Sequence, residues 1–374
     1  PGVSDRTATF HLLNGSTLLG GFNGSETNQE QRDPTANITI LSGDLARNDG
    51  TTILDTDPSR SENAYHVVTL KGAPKNVIVD GFTISGGNAN GVLRNGCGGS
   101  GSNRYDHTRG GAIYVDPYSV NNNITALFNN CILEKNSGTS VAVYYSFNPC
   151  GITDISSDVD FQNTIIRDNY SKDLSTMLWS GSSGYSIYSR GSMVNCLMYN
   201  NTSDMSASCV YLATSTSRGG SVGGINVDIT NCTFSNNIGL GGNVFKMVRA
   251  SNSTINNSII YGNGSTTPFD ISTSGSVVKN SIIEGGQQAG LNQDPLFKNP
   301  SNSDYTLVCN SPAVDGGDST GLGIPSIDLA AENRFGGSAV DMGVYELNTI
   351  YTEITAITKD ITVSLDASGN ATIT

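Results

Sequence analysis

Phe161-Gln162-Asn163-Thr164-Ile165-Ile166-Arg167-Asp168-Asn169 carries the pattern on which the whole chain is built. An apolar residue is followed two positions later by Asn, then by a small residue and two branched ones, and six positions after the first Asn comes a second. The phrase returns as Asn130-Cys131-Ile132-Leu133, Asn195-Cys196-Leu197-Met198, Asn231-Cys232-Thr233-Phe234 and Asn257-Ser258-Ile259-Ile260. An earlier copy begins at Asp80 (Asp80-Gly81-Phe82-Thr83) and a later one at Asn280 (Asn280-Ser281-Ile282-Ile283). Successive starts lie 50, 33, 32, 36, 26 and 23 residues apart, so a constant core alternates with loops of variable length, which is the signature of a solenoid.

The apolar residues two before each start are Ile78, Phe128, Phe161, Met193, Ile229, Ile255 and Val278. Those six after it are Gly86, Asn136, Asn169, Asn201, Asn237, Asn263 and Gly286. Short alternating runs bounded by Asn or Gly read as strands with one buried face and corners between them. Asn tolerates the left-handed conformation and its amide satisfies backbone groups, so stacked corners predict an Asn ladder. A coil of two to three dozen residues without helical period predicts an all-β fold, a parallel β-helix in which each coil is stabilised by its neighbours. Seven coils at about 4.8 Å each give a rod of about 34 Å. The 44 glycines and runs such as Thr164-Ile165-Ile166 disfavour helix.

Only 14% of the 374 residues are charged and the net charge is −13, which argues against nucleic acid and acidic membrane surfaces as partners. No run is long and apolar enough to insert in a bilayer. The chain opens at Pro1-Gly2 without a leader and soon enters the strand-like Thr9-Phe10-His11-Leu12-Leu13, so it reads as a piece of something longer. Cys131, Cys196 and Cys232 fall in the small slot after the corner Asn, where they read as small buried residues. Cys97 and Cys150 lie in loops leaving neighbouring coils and are the candidates for a disulfide in an oxidising compartment. Without a CxxC motif or a His at ligand spacing, zinc is not expected. Sequons such as Asn14-Gly15-Ser16, Asn37-Ile38-Thr39 and Asn231-Cys232-Thr233 follow from an Asn- and Ser/Thr-rich repeat.

Three stretches, Gly20-Gly21-Phe22-Asn23-Gly24-Ser25-Glu26, Thr39-Ile40-Leu41-Ser42-Gly43-Asp44 and Asp80-Gly81-Phe82-Thr83-Ile84-Ser85-Gly86-Gly87-Asn88-Ala89, resemble the pectin-lyase-like β-helix proteins secreted by Bacteroidetes. The segment Ser311-Pro312-Ala313-Val314-Asp315-Gly316-Gly317, with Asp328, Asn333-Arg334, Gly336-Gly337 and Val340-Asp341-Met342-Gly343-Val344-Tyr345-Glu346, is similar to the end of their choice-of-anchor domains. The resemblance implies a right-handed parallel β-helix over residues 1–346 with a capping segment at 287–346. Residues 347–374 would then be a linker and the first strands of an Ig-like repeat, because Ile361 to Ile373 alternates around a turn and resembles repeats of gliding-motility adhesins. Such proteins leave the cell by the type IX system and stay at the outer surface of a Gram-negative bacterium. The expected partners are therefore that export machinery and a surface polysaccharide or substratum.

Pectin-lyase-like folds host lyases, hydrolases and plain adhesins, so the fold does not name the chemistry. The Asn-Thr-Asp, Asp-Asp and Gly-His-Gly triplets of polygalacturonase-like hydrolases are missing, and no coil strand is read as carrying the two carboxylates that glycosidases use. The long first interval holds the densest titratable loop: Arg94, Arg104, Tyr105, Asp106, His107 and Arg109. If the chain is an enzyme, His107, Arg109 and Asp106 are the catalytic candidates, with Arg104 and Tyr105 contacting the ligand; otherwise the loop is a solvated excursion pinned by Cys97. Tyr114, Tyr144, Trp179, Tyr211 and Phe245 each follow an apolar residue in successive coils, and strand alternation predicts that all five point outward as a stripe for sugar rings. The same residues would be buried by a register shift of one. Asp315, Asp318 and Asp328 are candidate calcium ligands beside glycines, with hydrogen bonding to turns the plainer role. Two functions compete: a non-catalytic adhesive or glycan-contacting rod, and a polysaccharide lyase or glycoside hydrolase.

Overall fold

The computed structural model describes residues 5–72, 74–92, 107–116, 123–146, 155–182, 187–205, 207–215, 224–248, 253–271, 276–320, 323–348 and 367–368. Cys97, Cys150 and nearly all of the expected linker and Ig-like strands lie outside these residues. The fold is a parallel β-helix. One coil shows the path: Ile155–Gln162 in sheet one, Ile165–Arg167 in sheet two, the two-residue strand Tyr170–Ser171 in sheet three, and Ser175–Ser182 in sheet four. Each strand pairs in parallel with its counterpart in the next coil, as Ile165 with Leu197 and Tyr170 with Thr202.

Eight strands stack in sheet two, and sheets one and four match them coil for coil. The extra coil precedes Asp80. Its strands Phe10–Leu12, Thr17–Leu19 and Thr39–Ser42 pair with Val68–Lys71, Val77–Asp80 and Phe82–Ser85. Gly20, level with Gly81, and the left-handed Gly21 (φ +91°) take its first corner, and a long insertion separates the corner from the following strand, so no Asn phrase marks it. Seven steps of about 4.8 Å give a stack about 34 Å long.

Phe128, Phe161, Met193, Ile229 and Ile255 align in one inward column, together with Val79 rather than Ile78. The Asp80 copy is thus shifted by one residue from the sequence alignment: Asp80 pairs with Asn129, and Gly81 occupies the corner held elsewhere by Asn. Backbone angles agree, since Gly81 (φ +80°) and Asn130, Asn163, Asn195, Asn231, Asn257 and Asn280 (φ 44–58°) are all left-handed. Phe128 stacks on Phe161 at 5.5 Å and Phe245 on Phe269 at 5.2 Å, so the core is continuous along the axis.

The two Asn positions of each coil do different work. At the second corner the left-handed residue is the one before the Asn (Lys135, Asp168, Asn200 and Asn236), and the Asn itself turns inward. Asn136, Asn169, Asn201 and Asn237 have no exposed surface, and each backbone N–H and Nδ2 donates to the Oδ1 of the next Asn, ending on Asn263. Each Nδ2 also donates to two carbonyls, as Asn201 does to Ile166 and Tyr199. A fully satisfied buried network of this kind fixes the coil register.

The small slot after the first corner forms a parallel row. Cys196, Cys232 and Ser258 each receive or relay a bond across coils: Cys196 N–H to Cys232 Sγ, Cys232 N–H to Ser258 Oγ, Ser258 N–H to Ser281 Oγ. Their S–H or O–H groups donate to carbonyls in turn, Cys196 to Phe161 and Val194, Cys232 to Met193 and Thr230. The slot therefore selects a small X–H group, which explains why Cys, Ser and Thr interchange there. Burial pushes the Cys131 thiol up to about 12, leaving it protonated and inert.

After the last coil, Glu284–Ala289 and Leu291 close the end: Gln287 exchanges bonds with Phe269, and Leu291 bridges to Ile282. The antiparallel pair Phe297–Asn299 and Asp304–Leu307 follows. From there the chain turns back along the outer face of sheet two. Leu307, Ala313 and Met342 pack on Ile259 and Ile282, and Tyr305 and Val344 pack on Leu197 and Tyr199. The segment expected as a cap is thus mostly a wrap along the side. Its buried Arg334 donates to the carbonyls of Gly343 and Val344, to Asn195 Oδ1 and to Glu346 Oε2. Among the described residues no helix is long and apolar enough to cross a membrane.

Candidate functional site

The root of the long loop is the first candidate. Arg94, Arg104, Tyr105 and Asp106 lie outside the described residues, whereas His107 and Arg109 are placed. His107 stacks on Tyr65 (centroids 4.3 Å apart) and on His66 (5.3 Å), and His66 stacks on Tyr114 (4.5 Å). Gly91 permits this packing, because a Cβ there would sit 2.6 Å from the His107 Cβ. Arg109 continues the stack, lying 5.0 Å over the Tyr145 ring and donating to its hydroxyl at 3.0 Å.

Hydrogen bonding fixes the tautomers. His66 Nδ1 lies 3.0 Å from the Gly110 carbonyl, which only accepts, so Nδ1 carries the proton. Burial drives the His66 pKa down to about 3, so the ring is neutral and its Nε2 is an acceptor. The 3.2 Å contact then runs from His107 Nδ1–H to His66 Nε2. The arrangement orients one imidazole with the other. In sequence the two histidines stand 41 residues apart, with His66 in a strand-like run that gives no hint of its partner.

The aromatic stripe does not form. Tyr144 and Phe245 share an inward column with Ile113, Met177 and Val210, and Trp179 lies inward with Leu212 and Met247. Trp179 is fully buried, 4.7 Å from Tyr144. Tyr114 belongs to the opposite face but is also fully buried, against Tyr145 and Leu178. Of the five only Tyr211 retains exposure, with Lys246 Nζ 5.7 Å above its ring. Register irregularities between Val141 and Tyr144 and between Ala207 and Val210 break simple alternation from coil to coil, whereas Trp179 is inward by plain alternation with Met177, with Leu178 on the outward side.

Sheet one corrects a second expectation. Asp158 and Asp160 lie two apart on Ile155–Gln162, on its outward side, so a coil strand does carry paired acids. Asp158 is in register with Arg190, and Ser192 donates to Asp160 at 2.6 Å. Partial burial raises the Asp158 pKa, and Asp160 raises it further against the opposing pull of Arg190.

The proposed calcium ligands are not gathered. Asp315 accepts from the Ala339 N–H, Asp318 from Thr320, and Asp328 from the N–H groups of Ala330, Glu332 and Glu346. They are turn acceptors of the wrap. Among the described residues one trio of acids brings ligand oxygens within 4.8 Å of one another, Asp44, Asp49 and Glu62, and Arg60 already sits 2.8 Å from Asp49.

Comparison of the chain with family models, curated proteins and solved structures finds no match.

Proposed function

We propose that this chain is a non-catalytic module of an exported cell-surface protein, a rigid rod that holds adhesive, glycan-contacting surface away from the cell. A type IX secretion substrate of a Gram-negative bacterium is the setting in which we place it, on the resemblance of its repeat and closing segments. The supporting observation is the buried Asn136–Asn263 ladder, which runs through five coils and is satisfied at each step within the solenoid. Such a network resists bending and needs no ligand to complete it.

A second reading, a polysaccharide lyase or hydrolase, draws on Asp158, Asp160 and Arg190 on sheet one and on the His66–His107 pair. Against it, Asp158 and Asp160 stand side by side on one strand, whereas glycosidase carboxylates flank the scissile bond from opposite sides. The separating experiment incubates the chain with acidic and neutral polysaccharides and measures new reducing ends and unsaturated products, alongside co-sedimentation with insoluble polysaccharide. The rod reading expects sedimentation without product. Product formation abolished by His107→Ala or Asp158→Asn would replace it with the enzyme.

A further inference from the structure

Where the wrap meets the coils, the two do not close completely. A cavity of about 440 Å³ lies at the seam, within the range of small-molecule sites of about 300–1,000 Å³. Its walls include Ser235, Asn236 and Tyr261 from the coils and Asp294, Phe297 and Ser301 from the segment that follows the last coil. Tyr261 packs beside the Ile259 cluster, and Phe297 is held edge-on against Tyr305 at 5.3 Å, so both rings are fixed from behind.

The polar groups are mostly acceptors. Asn236 gives one Nδ2 hydrogen to Asn200 Oδ1, which leaves its carbonyl oxygen as an acceptor and its second Nδ2 hydrogen as a donor. Asp294 uses Oδ1 to accept from the Leu296 N–H, leaving Oδ2, and Ser301 donates its proton to Asn299, leaving lone pairs. The lining contains no Lys or Arg, and Asp294 and Glu284 both place negative charge near the Tyr261 hydroxyl. A fitting ligand therefore combines an apolar face for the rings with several hydroxyl donors, and carries no negative charge.

We infer that this seam cavity binds a neutral pyranose unit, its C–H face against Tyr261 and Phe297 and its hydroxyls donating to Asp294, Asn236 and Ser301. The site deepens the glycan-contacting part of the proposed function and rests on that reading. It moves the contact from the buried aromatics to the seam, and it excludes uronates, which the carboxylates would repel.

The test is saturation-transfer NMR on the intact chain with methyl glucoside, methyl galactoside and methyl mannoside, and with glucuronate and butylamine as charged probes. At least one neutral pyranoside is expected to bind with Kd on the order of 1 mM. Tyr261→Ala should weaken it about tenfold. Because Tyr261 also packs on the core, Asp294→Asn and Ser301→Ala, which change exposed side chains, provide the second readout, each expected to weaken binding about fivefold. No transfer to any neutral pyranoside, equal or stronger transfer to glucuronate or butylamine, or binding indifferent to both Asp294→Asn and Ser301→Ala would overturn the inference. Reducing-end assays on the same samples keep the two ideas apart, since new product contradicts the non-catalytic rod, whereas a silent cavity without product contradicts only the sugar site.

Discussion

The two rows of corner asparagines use one residue type for opposite purposes. The second-corner row, Asn136 to Asn263, faces inward and bonds to itself and to the coils. The first-corner row takes the left-handed turn, and in the C-terminal half its amides reach outward to the wrap: Asn195 to the Ile327 carbonyl, Asn231 to Asp341, Asn257 to Asp318. The former holds the stack together and the latter attaches a separate segment to it. Stability should accordingly fall into two tiers, a solenoid body and a wrap that can detach from it.

Breaking the inner row should have the largest effect. Asn201→Ala leaves the Asn169 N–H and the Tyr199 carbonyl buried without the amide that satisfies them and takes a second donor from the Ile166 carbonyl, and about 4 kcal/mol of stability should be lost in urea unfolding. Arg334→Ala comes next. It strands Glu346 and Asp341 in the buried seam and should cost about 3 kcal/mol, appearing first as protease sensitivity within 311–346 while the body remains folded.

Protonation separates the tiers by sign. His66 has its pKa lowered to about 3 from 6.5, so below pH 6.5 the unfolded chain binds a proton that the native ring refuses. Its contribution is complete above pH 6.5 and is lost toward pH 3, amounting to about 2 kcal/mol by about pH 5. Comparing His66→Gln with the parent chain at both pH values should abolish that part of the slope. In the wrap, burial pushes Glu346 up to about 8 from 4.5, so its contribution falls as pH rises across that window, the opposite direction. Among the truncations the smallest effect belongs to the outer row: Asn195→Ala removes the bonds to Ile327 and Asn163 and the one from Arg334, which keeps the Gly343 and Val344 carbonyls, at a left-handed position that Ala tolerates less well, and should cost about 2 kcal/mol.

Much of this architecture is legible in the chain because its repeat is chemical. A left-handed corner, a small X–H group and an apolar pair of which the second points inward leave the phrase that begins at Asn163, and stacked copies define the coils. The first coil escapes because Gly20 and the left-handed Gly21 stand where later coils have the corner Asn. The Asp80 copy slips by one because Asp80 and Gly81 are both acceptable corner residues, and only pairing with Asn129 decides between them. Phe245 and Trp179 were legible as aromatic but not as inward, since the apolar residues before them, Val244 and Leu178, are equally acceptable on the inner face and only the pairing decides. The seam cavity is least legible of all. Asn236 and Asp294 are separated by the rest of the final coils, and only the return of the chain along sheet two sets them side by side.

Native-state hydrogen exchange read peptide by peptide tests the two-tier claim most directly. The account predicts that the amides of Asn136, Asn169, Asn201 and Asn237 exchange only through global unfolding, whereas those of Asp315, Gly343 and Val344 exchange earlier through release of the wrap. In Arg334→Ala the second group should lose protection and the first should keep it. A single uniform level of protection, or loss of the ladder amides together with the wrap, would contradict it.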